Sequence, residues 1–349
     1  MTTKIGMNRR IVLAERPKGA ATSASFRLEQ APIPDLAQGQ VLLRTLWLSL
    51  DPYMRGRMSD APSYAAPVAL GGVMTGQTVA RVEASLDAEF QPGDLVLAMS
   101  GWQEFAVSGG GGLTKLPAGT PHPSWALGIL GMPGFTAFMG LLEIGKPKAG
   151  ETVVVAAATG AVGSVVGQIA KLKGCRIVGI AGGPEKCSWA VDNLGFDACI
   201  DHHSPDLAEL LGAACPKGVD VYFENVGGKV FRAVVPHLNA HARIPVCGLI
   251  AHYDANPKLA ETDWAPALMR AILVKRITMR GFIIFDEFGN RFGEFQDAMQ
   301  AWLRDGRIRY REDIVEGLEN APQAFLGLLQ GRNFGKLVVK LDATHGASA

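Results

Sequence analysis

Two kinds of hydrophobic pattern divide the chain. Between residues 9 and 130, apolar positions come in short runs: Arg10–Ala14, Gln40–Leu48, Thr78–Glu83 and Asp94–Ala98. Turn residues such as Pro32-Ile-Pro34 and Gln91-Pro-Gly-Asp94 separate them, which predicts strands and tight connections. Helical spacing is poor until about Trp125, and the tetraglycine Gly109–Gly112 reads as a surface turn. From about 125 to 310 the pattern alternates. Strands are predicted at 152–158, 175–181, 198–200, 219–224, 243–248 and 277–284, with helices at roughly 161–173, 184–194, 205–214, 228–238, 263–275 and 290–305. Alternation of β and α predicts a parallel, doubly wound sheet covered on both faces. Gln323–Leu329 then reads as a helix and Phe334–Leu341 as a strand that returns to the first domain. The expected fold class is α/β, with a β-rich domain over 1–130 completed by 311–349 and an alternating domain over 131–310. The polar tail Asp342–Ala349 is expected to fray.

The first strand of the alternating half carries the most specific signal. Thr152-Val-Val-Val-Ala-Ala-Ala is continuously apolar, as a strand buried on both faces must be. It runs into Thr159-Gly-Ala-Val-Gly163, and Val165, Ile169 and Leu172 then recur at helical spacing. Strand, glycine turn and helix in that order hold a dinucleotide pyrophosphate on unpaired N–H groups at a helix N-terminus. The full G-x-G-x-x-G pattern is not met, because Ala158 occupies the first glycine position. At the tip of the next strand an NAD-binding unit carries Asp or Glu for the ribose hydroxyls. This chain has Ala181-Gly-Gly-Pro-Glu-Lys186 instead. A small site with a nearby cation fits a 2′-phosphate, so the reading is NADP rather than NAD. The competing reading makes Glu185 the ribose acid and Lys186 a solvated lysine.

Composition narrows the class. The chain has 349 residues, 48% hydrophobic and 19% charged, with a net charge of +1. Such a balance gives no bulk electrostatic case for nucleic acid or an anionic membrane surface. The polar start Met1–Arg10 lacks the apolar core of a signal peptide, and no apolar run reaches membrane-spanning length. A cytoplasmic protein is expected. Five scattered cysteines, Cys175, Cys187, Cys199, Cys215 and Cys247, read as reduced thiols packed as small apolar residues. No internal repeat is present.

Over roughly 9–341 the chain resembles the zinc-independent medium-chain dehydrogenases/reductases. It is similar there to the leukotriene B4 12-hydroxydehydrogenase/prostaglandin reductase group, with its plant double-bond reductases and bacterial curcumin reductases. The resemblance rests on Leu48-Ser-Leu-Asp-Pro-Tyr-Met-Arg-Gly-Arg-Met58, Gly131-Met-Pro-Gly-Phe-Thr-Ala137, Gly160-Ala-Val-Gly-Ser164, Gly167–Gly174, Phe223-Glu-Asn-Val-Gly-Gly228 and Asn333-Phe-Gly-Lys336. It implies a GroES-like β domain plus a Rossmann domain, NADP(H) as cofactor, and reduction of the C=C bond of α,β-unsaturated ketones and aldehydes. It also implies a homodimer formed through the Rossmann domain. By position it assigns Gly160, Ala161, Val162 and Gly163 to the glycine turn, and Gly182 and Lys186 to the 2′-phosphate. Asn225, after the fourth strand, contacts the cofactor; Cys247, Gly248, Tyr253, Phe282, Ile283 and Ile284 fall on the nicotinamide side, Asn333 and Gly335 contact it from the C-terminal segment, and Tyr53 borders the active site from the first domain. At His202 the family commonly has a tyrosine that helps hold the 2′-phosphate. A histidine there supports that phosphate only by donating, and His202 and His203 otherwise read as loop histidines.

No metal site is expected. Zinc-dependent relatives carry a first-domain Cys, a Gly-His-Glu segment and a four-Cys lobe. This chain has no Cys before 175 and reads Gly72-Val-Met-Thr-Gly-Gln-Thr-Val79, and its seven histidines lack metal-ligand spacing. Reduction of a polarised C=C needs less: hydride to the β-carbon, a hydrogen bond to the oxygen as an enolate develops, and a proton for the α-carbon. Tyr253 is the first candidate donor, directly or through the nicotinamide ribose, and Tyr53 the second; packing against cofactor is the plainer role of each. Arg55 and Arg57 read as structural partners of carboxylates or as substrate contacts, and Asp51 as a turn residue. Trp102 and Met132 read as cleft lining or as core. Ser164 lacks a nucleophile-elbow context. A quinone reductase and a non-catalytic NADPH-binding protein remain alternative functions.

Overall fold

The computed structural model describes residues 6–254 and 264–341. The expected tail Asp342–Ala349, residues 255–263 and the first five residues of the chain lie outside them. The chain forms two compact units, one of 1–127, 312–333 and 337–349, the other of 128–311 and 334–336.

The first unit is built on a seven-stranded sheet. Its order is Glu312–Glu316, Lys336–Lys340, Val41–Ser49, Thr78–Ser85, Leu95–Ala98, Thr114–Lys115, and Phe105–Ser108 also pairs with Val41–Ser49. Met7–Leu13 and Phe26–Pro32 form a separate antiparallel pair. Inward residues on one side, Val41, Leu43, Ala80, Val82 and Val96, make one core. A larger core gathers Ile11, Leu48, Met54, Trp102, Phe325 and Val339. Trp102 stacks on Phe26 at 5.6 Å and meets Phe325 edge-on at 5.6 Å, with none of its surface exposed. It is core, not cleft lining, because two aromatic neighbours bury both its face and its edge.

In the second unit six strands stand in the order Ala198–Asp201, Arg176–Ala181, Thr152–Ala156, Val219–Phe223, Leu238–Val246, Thr278–Gly281. Every pairing is parallel. All five residues of Thr152–Ala156 are buried, as its continuous apolar run required. Helices Gly163–Leu172, Pro184–Leu194, Leu207–Ala214 and Gly228–Val234 follow the first four strands in sequence. Two strand bounds differ most from expectation. The fifth begins at Leu238 rather than 243, with polar Asn239 and His241 inside it. The sixth ends at Gly281, because the chain turns there to open the helix Ile284–Phe288. Residues 334–336 belong to this unit because Gly335 makes a parallel bridge to Gly160. Among the described residues no helix is long and apolar enough to cross a membrane.

Candidate active site

The strand order reverses between Thr152–Ala156 and Val219–Phe223, neighbours whose onward connections run to opposite sides of the sheet. Parallel sheets leave a crevice at the carboxyl ends of such strands. Asn225 spans it here, its Nδ2 donating to the Ala156 carbonyl at 2.8 Å. The glycine turn starts at the same place. Ala157 takes a left-handed φ of 53°, Gly160 N–H donates to Ala157 O at 2.9 Å, and Ser164 N–H to Gly160 O at 3.1 Å. A Cβ at Gly163 would lie 2.2 Å from Ala157 O, so only glycine lets the helix begin this close to the turn. The helix Gly163–Leu172 has no side chain capping its N-terminus. The N–H groups of Val165 and Val166 donate to Val162 O, at 3.1 and 3.0 Å, so an anion would meet the turn N–H groups of Ala161 to Gly163 ahead of them, where the helix dipole also favours it. Gly160, Ala161 and Val162 are half-buried around this mouth.

Further along the sheet edge, Gly182 and His202 come together. A Cβ at Gly182 would stand 3.1 Å from His202 Nε2. Asp201 braces the corner: its Oδ1 accepts from the N–H groups of Gly183 and His203, each at 2.9 Å, and lies 2.8 Å from His203 Nδ1. The His202 ring packs on His203 with centroids 4.1 Å apart, and its buried Nδ1 has no hydrogen-bond partner. Burial, then the charges of His203 and Lys229, hold the His202 pKa below the ordinary histidine range; Asp201 opposes them. Lys186 sits in the first turn of Pro184–Leu194, half-buried. A cation there works against the helix dipole, an arrangement that suits a docked phosphate.

On the other flank of the crevice, the segment after Leu238–Val246 folds onto the segment after Val219–Phe223. The N–H groups of Cys247 and Gly248 both donate to Glu224 O, at 2.9 and 3.2 Å, and Ala251 N–H donates to Val226 O at 2.9 Å. His252 Nε2 accepts from Gly228 N–H at 3.0 Å. Tyr253 closes the short 3₁₀ turn Ile250–His252, and its Oη would lie 3.3 Å from a Cβ on Gly248. Asn225, Cys247, Gly248 and Tyr253 are thus brought together. Burial, with Glu224 adding to it, pushes the Cys247 thiol up to about 12. Phe282 and Ile284 are buried, with Ile283 half-buried between them. The ring of Phe282 meets that of Phe223 over Gly140, where a Cβ would stand 2.7 Å from one and 2.9 Å from the other.

Glu224 was missed by sequence reasoning. It is fully buried, and its Oε1 accepts from the N–H groups of Val226 at 2.5 Å and Gly227 at 2.9 Å. Its Oε2 has no hydrogen bond of good geometry, and neither does the hydroxyl of the adjacent Tyr222. Burial pushes the Glu224 pKa up against those two backbone bonds. The available signal was an acid closing the apolar run Val221-Tyr-Phe-Glu224.

In the first unit, Tyr53 follows Asp51-Pro52 and caps the four-residue helix Met54–Arg57, too short for periodicity to reveal. Burial, with Asp51 and Tyr64 adding and Arg57 opposing, raises its pKa well above the ordinary tyrosine range. Arg55 is buried, and its Nη2 donates to Gly19 O at 2.5 Å, a structural role. Arg57 stacks its guanidinium over the rings of Tyr64 at 4.6 Å and Tyr53 at 5.8 Å. Asn333 is half-buried in the segment before the last strand. Among the described residues, no three His, Cys, Asp or Glu side chains gather as metal ligands.

Two family models match the chain: the N-terminal domain of oxidoreductase over 9–116 and zinc-binding dehydrogenase over 161–304. They define the protein as an oxidoreductase of the medium-chain dehydrogenase/reductase class. It is 59% identical to the NADPH-dependent curcumin reductase of Escherichia coli (strain K12), over 96% of this chain and 97% of that one. It is 42% identical to prostaglandin reductase 1 of Bos taurus, over 92% and 95%. A solved structure of CurA from Vibrio vulnificus in complex with NADPH superposes with a TM-score of 0.93 at 60% identity, over 96% of this chain and 99% of that one. The chain belongs to the zinc-independent leukotriene B4 12-hydroxydehydrogenase/prostaglandin reductase group of that family.

Proposed function

We propose that the protein reduces the C=C bond of α,β-unsaturated ketones and aldehydes. Its cofactor is NADPH, and the fit is local: an uncapped helix start behind a turn that tolerates no Cβ at Gly163, and a small corner at Gly182 and His202, with Lys186 on the helix that follows, for the 2′-phosphate. When bound, NADPH supplies the hydride for the β-carbon. The protein's own residues then act on charge. Asn225, tied to the Ala156 carbonyl, orients the carboxamide side of the pocket. Tyr253 donates to the substrate oxygen as negative charge develops there, and Tyr53 is the second donor. A hydrogen-bond donor aimed at that oxygen, away from water, lowers the barrier. The α-carbon takes its proton from solvent.

One observation carries the reading. The helix Gly163–Leu172 opens uncapped behind a turn where a Cβ at Gly163 would lie 2.2 Å from Ala157 O, in a chain similar to relatives named for reducing curcumin and prostaglandins. A neutral hydroxyl donates without needing a metal to stabilise the oxyanion. The test is NADPH oxidation with 3-nonen-2-one and with 1,2-naphthoquinone, NADH run in parallel. Turnover of the enone with NADPH well above NADH supports the reading; turnover of the quinone alone makes the protein a quinone reductase instead.

We propose the same chain as a homodimer. The edge strand Thr278–Gly281 has all four residues exposed, and Met269, Leu273 and Val274 on the helix Ala265–Lys275 are 63, 77 and 59% exposed. An unpaired edge beside apolar surface favours pairing with a second copy. Light scattering after size exclusion tests it.

A further inference from the structure

We propose that Cys187 and Cys199 form a modification site, where a peroxide oxidises the two thiols to a disulfide that weakens the hold on NADPH. The site stands apart from the substrate that the enzyme reduces.

The two sulfurs are hydrogen-bonded to each other. Cys187 closes the first turn of the helix Pro184–Leu194, and Cys199 lies in the strand Ala198–Asp201. Together they complete a ring at the proposed 2′-phosphate corner. Cys187 N–H donates to Gly183 O at 3.2 Å, Gly183 N–H donates to Asp201 Oδ1 at 2.9 Å, and Asp201 follows Cys199 in the same strand. Gly182 and Lys186 adjoin that ring in sequence. The strand side is tightly packed: Cys199 pairs in register with Gly179, where a Cβ would stand 3.0 Å from the Cys199 sulfur and 2.9 Å from Phe196. A covalent S–S bond is shorter than a hydrogen-bonded contact. Its closure therefore moves the start of the helix, which carries Gly183 and Lys186.

The chemistry of the five cysteines selects this pair. The thiolate is the reacting form. The hydrogen bond from the Cys199 thiol, with a backbone bond at Ala181, holds the Cys187 pKa below the ordinary cysteine range against burial and Asp201. Cys199 keeps its proton, held by the same bond and by burial. Burial pushes Cys175 and Cys215 up to about 11 and Cys247 up to about 12, so these stay thiols. Pro184, Glu185 and Ser188 beside Cys187 are exposed, which leaves a small oxidant a short path. The Cys187 thiolate attacks one peroxide oxygen: an S–O bond forms, the O–O bond breaks, and the departing hydroxide takes a proton to become water. Cys199 then attacks the resulting sulfenic acid. The S–S bond forms, the S–O bond breaks, and a second water leaves with the Cys199 proton. Two electrons pass from the sulfurs to the peroxide.

The experiment treats the purified protein, Cys187→Ser and Cys199→Ser with hydrogen peroxide, stops the reaction with catalase, and measures free thiols, crosslinked peptides and the Kd for NADPH. The native protein should lose two of its five thiols and yield a Cys187–Cys199 linked peptide. Its Kd should rise about tenfold, as on losing one charge-assisted hydrogen bond, and return with dithiothreitol. Cys199→Ser, whose hydroxyl still donates to Cys187, should stop at a sulfenic acid that dimedone labels, and Cys187→Ser should give neither product. By reciprocity, bound NADPH should disfavour the disulfide in a glutathione buffer by the factor through which the disulfide raises the Kd. Survival of all five thiols, a bridge between other cysteines, or a bridge that leaves the Kd unchanged overturns the site. So does an equal loss of affinity in peroxide-treated Cys187→Ser. None of these readouts uses an enone, so their failure leaves the proposed reduction in place.

Discussion

The methyl group of Ala158 fills the space that Gly179 leaves on the adjacent strand. A Cβ on Gly179 would stand 2.8 Å from the Ala158 Cβ, 2.9 Å from Phe196 and 3.0 Å from the Cys199 sulfur. The glycine missing from the turn is thus answered by one on the neighbouring strand. Gly179→Ala is expected to cost about 1–3 kcal/mol of stability through overpacking. Adding Ala158→Gly should recover part of the loss, since Phe196 and Cys199 still crowd the site. Thermal unfolding of both single variants and the double checks this: a double variant no more stable than the sum of the singles predicts would separate the two positions.

The two glycines of the turn are not equivalent. A Cβ at Gly160 would be 3.2 Å from Ala157 O, but one at Gly163 would be 2.2 Å from the same atom. Backbone has to move in the second case. Gly163→Ala should raise the Kd for NADPH at least about tenfold, as a displaced helix N-terminus loses its N–H contacts with phosphate, and Gly160→Ala much less. Fluorescence titration with NADPH ranks them; equal losses would mean that flexibility at the turn matters more than space.

Sequence carried the parts of this protein that repeat. Buried strands such as Thr152–Ala156 show as unbroken apolar runs, and the helix Pro184–Leu194 falls where its proline opening and apolar spacing place it. Three things were not legible. The fifth strand begins at Leu238, which pairs with Val219, and reaches Arg243 through an irregular stretch holding Asn239 and His241, the latter at a left-handed φ of 64°, so no apolar run marks its start. Trp102 looks the same in sequence whether it lines a cleft or a core, and only Phe26 and Phe325 decide it. Glu224 works through a turn that brings backbone from 226 and 227 to its own carboxylate, a contact with no periodicity.

Cofactor choice should be sensitive to Lys186 and to pH. Removing one charge-assisted hydrogen bond to the 2′-phosphate costs about 1.5–3 kcal/mol. Lys186→Ala should therefore lower the NADPH-to-NADH ratio of kcat/KM by at least about tenfold. His202 is neutral at pH 7 because its pKa lies below the ordinary 6.5. For a depressed histidine, native stability is complete above 6.5 and is lost as pH falls through the folded value. The apo protein should weaken on acidification, less so as His202→Gln, and bound NADPH should reverse the effect by favouring the imidazolium. Unfolding midpoints from pH 5 to 8, with and without NADPH, test this. An identical acid limb in His202→Gln would remove His202 from the account.

The two tyrosines should separate chemistry from binding. Losing a donor to a developing oxyanion costs about 10²–10³ in kcat. Tyr253→Phe is expected in that range with the Kd for NADPH nearly unchanged, and Tyr53→Phe somewhat below it. Since the Tyr53 pKa is raised above 10, its hydroxyl stays protonated and adds no alkaline limb to kcat below about pH 10. Stopped-flow single turnovers give these rates directly. Loss of NADPH affinity in Tyr253→Phe, with kcat spared, would make Tyr253 a cofactor-packing residue.

Glu224 offers the sharpest test of the buried electrostatics. Its pKa is raised above the ordinary 4.5, so the folded state holds the proton more tightly than the unfolded chain. The stability it gives is complete below 4.5 and is lost as pH rises through the folded value. A glutamine in its place would copy the protonated form, because an amide oxygen accepts from Val226 and Gly227 as Glu224 Oε1 does. Glu224→Gln should therefore match the native protein near pH 4.5 and exceed it at pH 8. Glu224→Ala strips both N–H groups of their acceptor and should cost about 1–3 kcal/mol at either pH. It should also weaken NADPH binding, because the turn it releases carries Asn225, and Cys247 and Gly248 hang from the Glu224 carbonyl. Urea unfolding of the three proteins at both pH values decides the matter. If Glu224→Gln were the less stable at pH 8, the residue would be a carboxylate held by its two backbone donors, and burial would not be the dominant force on it.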